Sequence, residues 1–169
     1  MPCRSVWLRV LGLVGTVLEG MVEEVDGSLV AKVRPAWHQR HRCGICGRRS
    51  QLYDQGAGRR RWRGLDLGYS RFYLEAAAPR VRCREHGVVV AQVPWARHGS
   101  GFIRAFEDQV AWLATQCSQS ACSQLMRVDW QTVGRIISRV VEEVSRGRDR
   151  LDGLTKIGID ELSRRAQIP

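Results

Sequence analysis

Cys43 and Cys46 bracket two residues, and so do Cys83 and His86, with glycines beside each pair (Gly44 and Gly47, then Gly87). A Cys-x2-Cys loop closes into a tight knuckle that points two thiolates at one ion. A Cys-x2-His loop can supply the other two ligands of a tetrahedral zinc site. The 36 residues between the pairs exceed what a finger helix needs and suit a β-hairpin inserted between two knuckles. A thioredoxin-like dithiol would have to open a helix after a strand, and nothing near Cys43 reads that way. The expectation is one structural zinc held by Cys43, Cys46, Cys83 and His86. His38, His41 and His98 lack the knuckle spacing and are expected at the surface. Cys3, Cys117 and Cys122 show no spacing that suggests a disulfide framework.

The elements that must position these ligands read as short strands. Val22 and Val25 lead into Asp26-Gly27, a hairpin turn signal, and residues 29–33 return as a strand that Pro35 closes. Before them, Val6 to Leu18 reads as a short helix weakened by Gly12 and Gly15. It carries Arg9, lacks a cleavage site and is too short to span a bilayer, so no membrane partner and a cytoplasmic setting are expected. After the first knuckle, residues 50–58 read as a polar loop, residues 59–67 and 71–76 as a hairpin, and residues 88–93 as a last strand. Such a unit has little apolar surface of its own, so metal binding and folding should be one event.

The formal charge of +10 is concentrated. Residues 35–104 carry fourteen arginines against Asp54, Asp66, Glu75 and Glu85, which equals the whole excess. A positive module of this kind points to a polyanion, most simply nucleic acid. Arg59, Arg60, Arg61 and Arg63 surround Trp62 and read as phosphate contacts with an aromatic platform.

The next segment is helical. Phe102, Phe106, Val110 and Leu113 recur at helix spacing. Ser118 starts a shorter helix, and Asp129 suits the N-cap of a third with Val133, Ile136, Ile137, Val140, Val141 and Val144 on one face. Ala121 in the second helix and Val128 in the turn complete a helix-turn-helix pattern. Gln131, Thr132, Arg135 and Arg139 would then face DNA. The fold class is α+β: a small β zinc ribbon followed by a helical helix-turn-helix module, with a truncated terminal strand. The expected divisions are an N-terminal hairpin segment (1–34), a zinc ribbon (35–95), a helix-turn-helix (100–146) and the start of a further domain (154–169).

Cys43-Gly44-Ile45-Cys46-Gly47, the hairpin at 59–67, Asp129-Trp130-Gln131-Thr132-Val133 and the terminal Gly158-Ile159-Asp160-Glu161 occur in that order. This combination resembles the ISL-three family of bacterial insertion-sequence transposases. The resemblance implies modules that bind double-stranded DNA at transposon ends in the bacterial nucleoid, and it leaves room for a homodimer. It also implies a following RNase H-like domain in which Asp160 is the first acid of a metal-binding triad, with Mg2+ only in a full-length relative. His86 stands where the family more usually has Cys. The chain stops at Pro169, so it is expected to be a DNA-binding, catalytically incomplete N-terminal part. Two other readings compete: a stand-alone zinc-dependent transcriptional regulator, which would not need Asp160, and an RNA-binding ribbon, which would leave the third helix unused.

Overall fold

The computed structural model describes residues 3–146. These form helices α1 (Cys3–Val10), α2 (Arg104–Gln116), α3 (Gln119–Met126) and α4 (Trp130–Ser145). The strands are β1 (Thr16–Glu23), β2 (Leu29–Pro35), β3 (Gln51–Asp54), β4 (Arg59–Arg63), β5 (Phe72–Ala77), β6 (Arg80–Cys83) and β7 (Gly87–Val90). They assemble into two sheets, ordered β1-β2-β5-β4 and β3-β6-β7. Only the β2–β5 pairing is parallel among them. The expected terminal strand, with Asp160, lies outside the described residues.

In the first sheet, β5 alternates strictly: Phe72, Leu74 and Ala76 are buried, and Glu75 faces the other side. Trp62 on β4 sits opposite Leu74 and meets Trp95 edge-on, with ring centroids 5.6 Å apart. One core runs from Leu18, Val33, Trp62 and Leu74 through Phe106 and Val110 to Val133 and Ile136. Each such side chain contributes about 1.5–3 kcal/mol by leaving water. This sheet therefore holds α2, α3 and α4, and it crosses the boundary drawn at residue 35 by taking β1 and β2 from one side and β4 and β5 from the other.

The structure corrects four local expectations. The helix expected through Leu18 ends at Val10, and β1 begins at Thr16 after left-handed turns at Gly12 and Gly15. The polar stretch 50–58 contains β3, which pairs with β6. Its polarity reflects an exposed ribbon strand, not the lack of a strand. The arginine hairpin β4–β5 lies outside the knuckle ribbon, because its apolar face is too large for the ribbon to cover and packs on the main core. On α4, Val133 and Ile136 are buried but Val141 and Val144 are exposed, because the packed side of the last turns is taken by Glu143, which pairs with Arg97 and Arg104.

The second sheet is sparse by comparison. Cys43, Val81, Cys83 and Ala91 are buried in and around it, and none of them joins the main core.

Candidate metal centre and nucleic-acid interface

The two knuckles converge at the base of the β3-β6-β7 ribbon. The Cys43 and Cys83 sulfurs lie 3.8 and 3.7 Å from His86 Nδ1, and the Cys46 sulfur lies 3.7 Å from that of Cys83. All four ligand atoms fall within 4.8 Å of one another. A tetrahedral zinc site with Zn–S bonds near 2.3 Å has edges of about 3.5–3.8 Å, so the donor set suits the ion in chemistry and in spacing. His38, His41 and His98 are not part of this cluster.

Local backbone explains the convergence. Gly47 donates its N–H to the Cys43 carbonyl at 2.9 Å with φ at +70°, a left-handed conformation that closes the first knuckle. A Cβ on Gly44 would collide with the His98 ring and with the Val90 carbonyl, 2.5 Å away, so the knuckle lies flat on the ribbon. The Cys83 thiol is drawn down to about 6, chiefly by backbone N–H donation from Glu85 and then by His86. At Cys46 a backbone N–H at Arg48 pulls the other way, yet burial and the Cys43 and Cys83 sulfurs push the thiol up. Crowded sulfurs that resist joint ionisation are the situation a dication relieves.

Beyond the knuckles stands the helical module. Ser118 caps α3 by accepting from the Ala121 N–H at 3.2 Å, and Asp129 caps α4 by accepting from the Thr132 N–H at 2.8 Å. Donation from the Thr132 hydroxyl, and then from its N–H, holds the Asp129 carboxyl below the usual range. Between the caps, Arg127 adopts a left-handed φ of 53°. Arg63 donates to the Arg127 carbonyl at 2.7 Å, while Arg127 in turn donates to Asp66 at 2.8 Å. The turn of the helix-turn-helix is thereby clamped to the end of β4.

The arginines and helix residues expected at DNA fall into different environments. Gln131 is exposed, and so is Arg135, whose guanidinium donates to Thr132 Oγ1 at 2.9 Å. Thr132 itself is buried and spent on the cap. Arg139 points inward to Glu107, and Arg63 is spent on Asp66 and the turn. Arg59 and Arg61 both pair with Glu75, and Arg61 also with Glu24, across the outer face of the sheet. Those donors hold the Glu75 carboxyl low, Arg61 first. Arg60 donates to the Ser100 carbonyl at 2.7 Å and covers Trp62. Trp62 is 2% exposed and cannot serve as an aromatic platform, because its strand position faces the core.

Sequence reasoning missed one feature outright. Glu107 is fully buried and takes Arg97 at 3.2 Å, Ser100 Oγ at 2.7 Å, and Arg139. Arg97 also reaches Asp108 at 2.7 Å and Glu143 at 2.5 Å. This network fastens the segment leading into α2 to the inner side of α4. The signal was present: Glu107 lies on the same helical face as Ile103, Phe106 and Val110, and an acid inside an apolar stripe needs a buried partner.

An open cleft of about 970 Å3 separates the first knuckle, at Gly44–Gly47, from Trp130, Gln131, Gly134, Arg135 and Ser138 of α4. A ribbon whose four ligand atoms suit zinc and a capped third helix facing one cleft give the architecture of a zinc ribbon followed by a helix-turn-helix module. Residues 39–86 match the zinc-finger of transposase IS204/IS1001/IS1096/IS1165, and residues 91–141 match the helix-turn-helix domain of transposase family ISL3. Over 153 residues the chain is 48% identical to the transposase for insertion sequence element IS1557 of Mycobacterium tuberculosis, in strains CDC 1551 / Oshkosh and H37Rv. That alignment covers 88% of this chain and 34% of the relative, so the chain spans about a third of the length of the curated relatives it matches. No solved structure matches it. The chain belongs to the ISL3 family of transposases. No helix among the described residues is long and apolar enough to cross a membrane.

Proposed function

We propose that these residues recognise double-stranded DNA at the ends of an insertion sequence, with α4 as the helix that reads bases. The observation that carries this is the exposed outer face of α4, where Gln131 and Arg135 follow directly on a helix start fixed by Asp129. Arginine and glutamine are the side chains suited to bidentate contact with guanine and adenine edges in the major groove. Thr132 orients Arg135 without reaching DNA itself, and Arg139 holds the helix to α2. Zinc, held by Cys43, Cys46, Cys83 and His86, keeps the first knuckle facing the same cleft. In this reading the protein contributes end recognition to transposition. The acids of a catalytic triad, Asp160 among them, belong to chemistry outside the described residues.

The test uses anisotropy of labelled duplexes carrying the element's terminal repeat or its shuffled sequence. Arg135→Ala should lose roughly 1–3 kcal/mol on the terminal repeat and little on the shuffled duplex. Equal losses on both would remove the base-reading role.

A further inference from the structure

The concentration of arginine suggests a backbone-binding surface, but the structure holds those arginines in different ways. Seven of the fourteen in residues 35–104 pair with carboxylates: Arg48, Arg59, Arg61, Arg63, Arg80, Arg97 and Arg104. Two others are held differently. The Arg49 guanidinium lies over the Trp37 ring at 5.5 Å, and that of Arg82 lies over Tyr53 at 4.9 Å. Neither has a carboxylate at ion-pair distance among the described residues. Both rings are open to solvent, Trp37 at 72% and Tyr53 at 47% exposure.

The distinction is chemical. A guanidinium in an ion pair has spent its N–H edge on the carboxylate, whereas one held face-down on an aromatic ring keeps that edge free. Its position is fixed, so less side-chain entropy is lost when an oxyanion binds, and the planar fork matches phosphate. Arg49 bridges Arg42 two residues before Gln51, the first residue of β3, and Gln51 is paired directly with Arg82. The two free forks therefore stand at the same end of β3, on the ribbon. Arg80, over the same Tyr53 ring, is neutralised by Asp54.

We propose that this end of the ribbon, through Arg49 on Trp37 and Arg82 on Tyr53, is a clamp for the phosphate backbone of duplex DNA, separate from the base-reading face of α4. The arginine hairpin β4–β5 is then a structural element whose charges are consumed within the sheet. The clamp rests on the DNA-binding reading above and adds the sequence-independent part of the contact.

The salt dependence of binding to random-sequence duplex tests it, because each phosphate contact contributes about 0.9 to the log–log slope. Arg49→Gln/Arg82→Gln should flatten the slope by about 1.8, for two contacts. Arg59→Gln/Arg61→Gln should change it by less than one contact. Zinc content and circular dichroism establish that each variant is folded. Tyr53→Leu and Trp37→Leu offer a second route: they keep both charges but remove their supports, and should weaken random-duplex binding severalfold. An unchanged slope in the zinc-replete Arg49/Arg82 variant overturns the clamp, as does a larger loss from the Arg59/Arg61 variant. If Arg135→Ala still reduces site preference in that case, the role of α4 stands without the clamp.

Discussion

Stripping zinc should melt the β3-β6-β7 ribbon while leaving the β1-β2-β5-β4 sheet and its helices folded. The reason is the separation of the two cores. Cys43, Val81, Cys83 and Ala91 are the ribbon's buried apolar complement, and they share nothing with the cluster around Trp62 and Phe106. Structural zinc contributes about 10–16 kcal/mol in small zinc modules. A ribbon with four small buried side chains has no comparable source. Cys83→Ser should act in the same way, since a hydroxyl is a far weaker ligand than a thiolate. Hydrogen exchange resolved by segment provides the measurement: amides of β6 and β7 should lose protection on chelation, while those of β2 and α2 keep it. Protected β6 amides in a verified metal-free sample would show that the ribbon is stable without the ion.

Glu107→Ala should be the most damaging single change in the helical module. It leaves the Arg97 guanidinium, 8% exposed, without one of its carboxylates, and strips Arg139 of its carboxylate partner. Removing one partner of a buried ion pair costs roughly 3–5 kcal/mol, against a total of about 5–15 kcal/mol for a typical domain. For a chain of this size the melting temperature should fall by roughly 6–20 °C. Replacing the set together, as Glu107→Leu with Arg97→Met and Arg139→Leu, should recover much of the loss, because the carboxylates that lose Arg97, those of Asp108 and Glu143, are open to solvent and none is left buried without a partner. If Glu107→Ala melts within about 2 °C of the parent, the network contributes no stability.

The same network predicts a direction with pH. Burial alone would raise the Glu143 carboxyl, but donation from Arg104 and Arg97 outweighs it and holds the group below its usual range. Its contribution is therefore full above the unfolded carboxylate value and is lost as pH falls through the lower folded one. Glu75, held low by Arg61 and Arg59, behaves alike. Thermal melts should show stability declining below the ordinary carboxylate range, and less steeply in Glu143→Gln.

The sequence by itself determined the features that depend on near neighbours in the chain. The two knuckles follow from ligand spacing, the hairpin at Asp26-Gly27 and the strand after it from turn chemistry, and the starts of α3 and α4 from Ser118 and Asp129. Each rests on contacts within a few residues, so local order is enough to read it. The class of protein followed from those motifs taken in order. Tertiary structure decided the fate of the charges and of Trp62. Whether Arg59 meets phosphate or Glu75, and whether Arg139 faces DNA or Glu107, depends on pairings across 16 and 32 positions of chain. Local pattern is blind to such separations. The β2–β5 pairing carried the arginine hairpin out of the zinc ribbon and onto the main core, which buried its tryptophan and neutralised its outer face. An arginine's charge is fixed by its chemistry, but its freedom to bind depends on which carboxylates and rings the fold brings beside it.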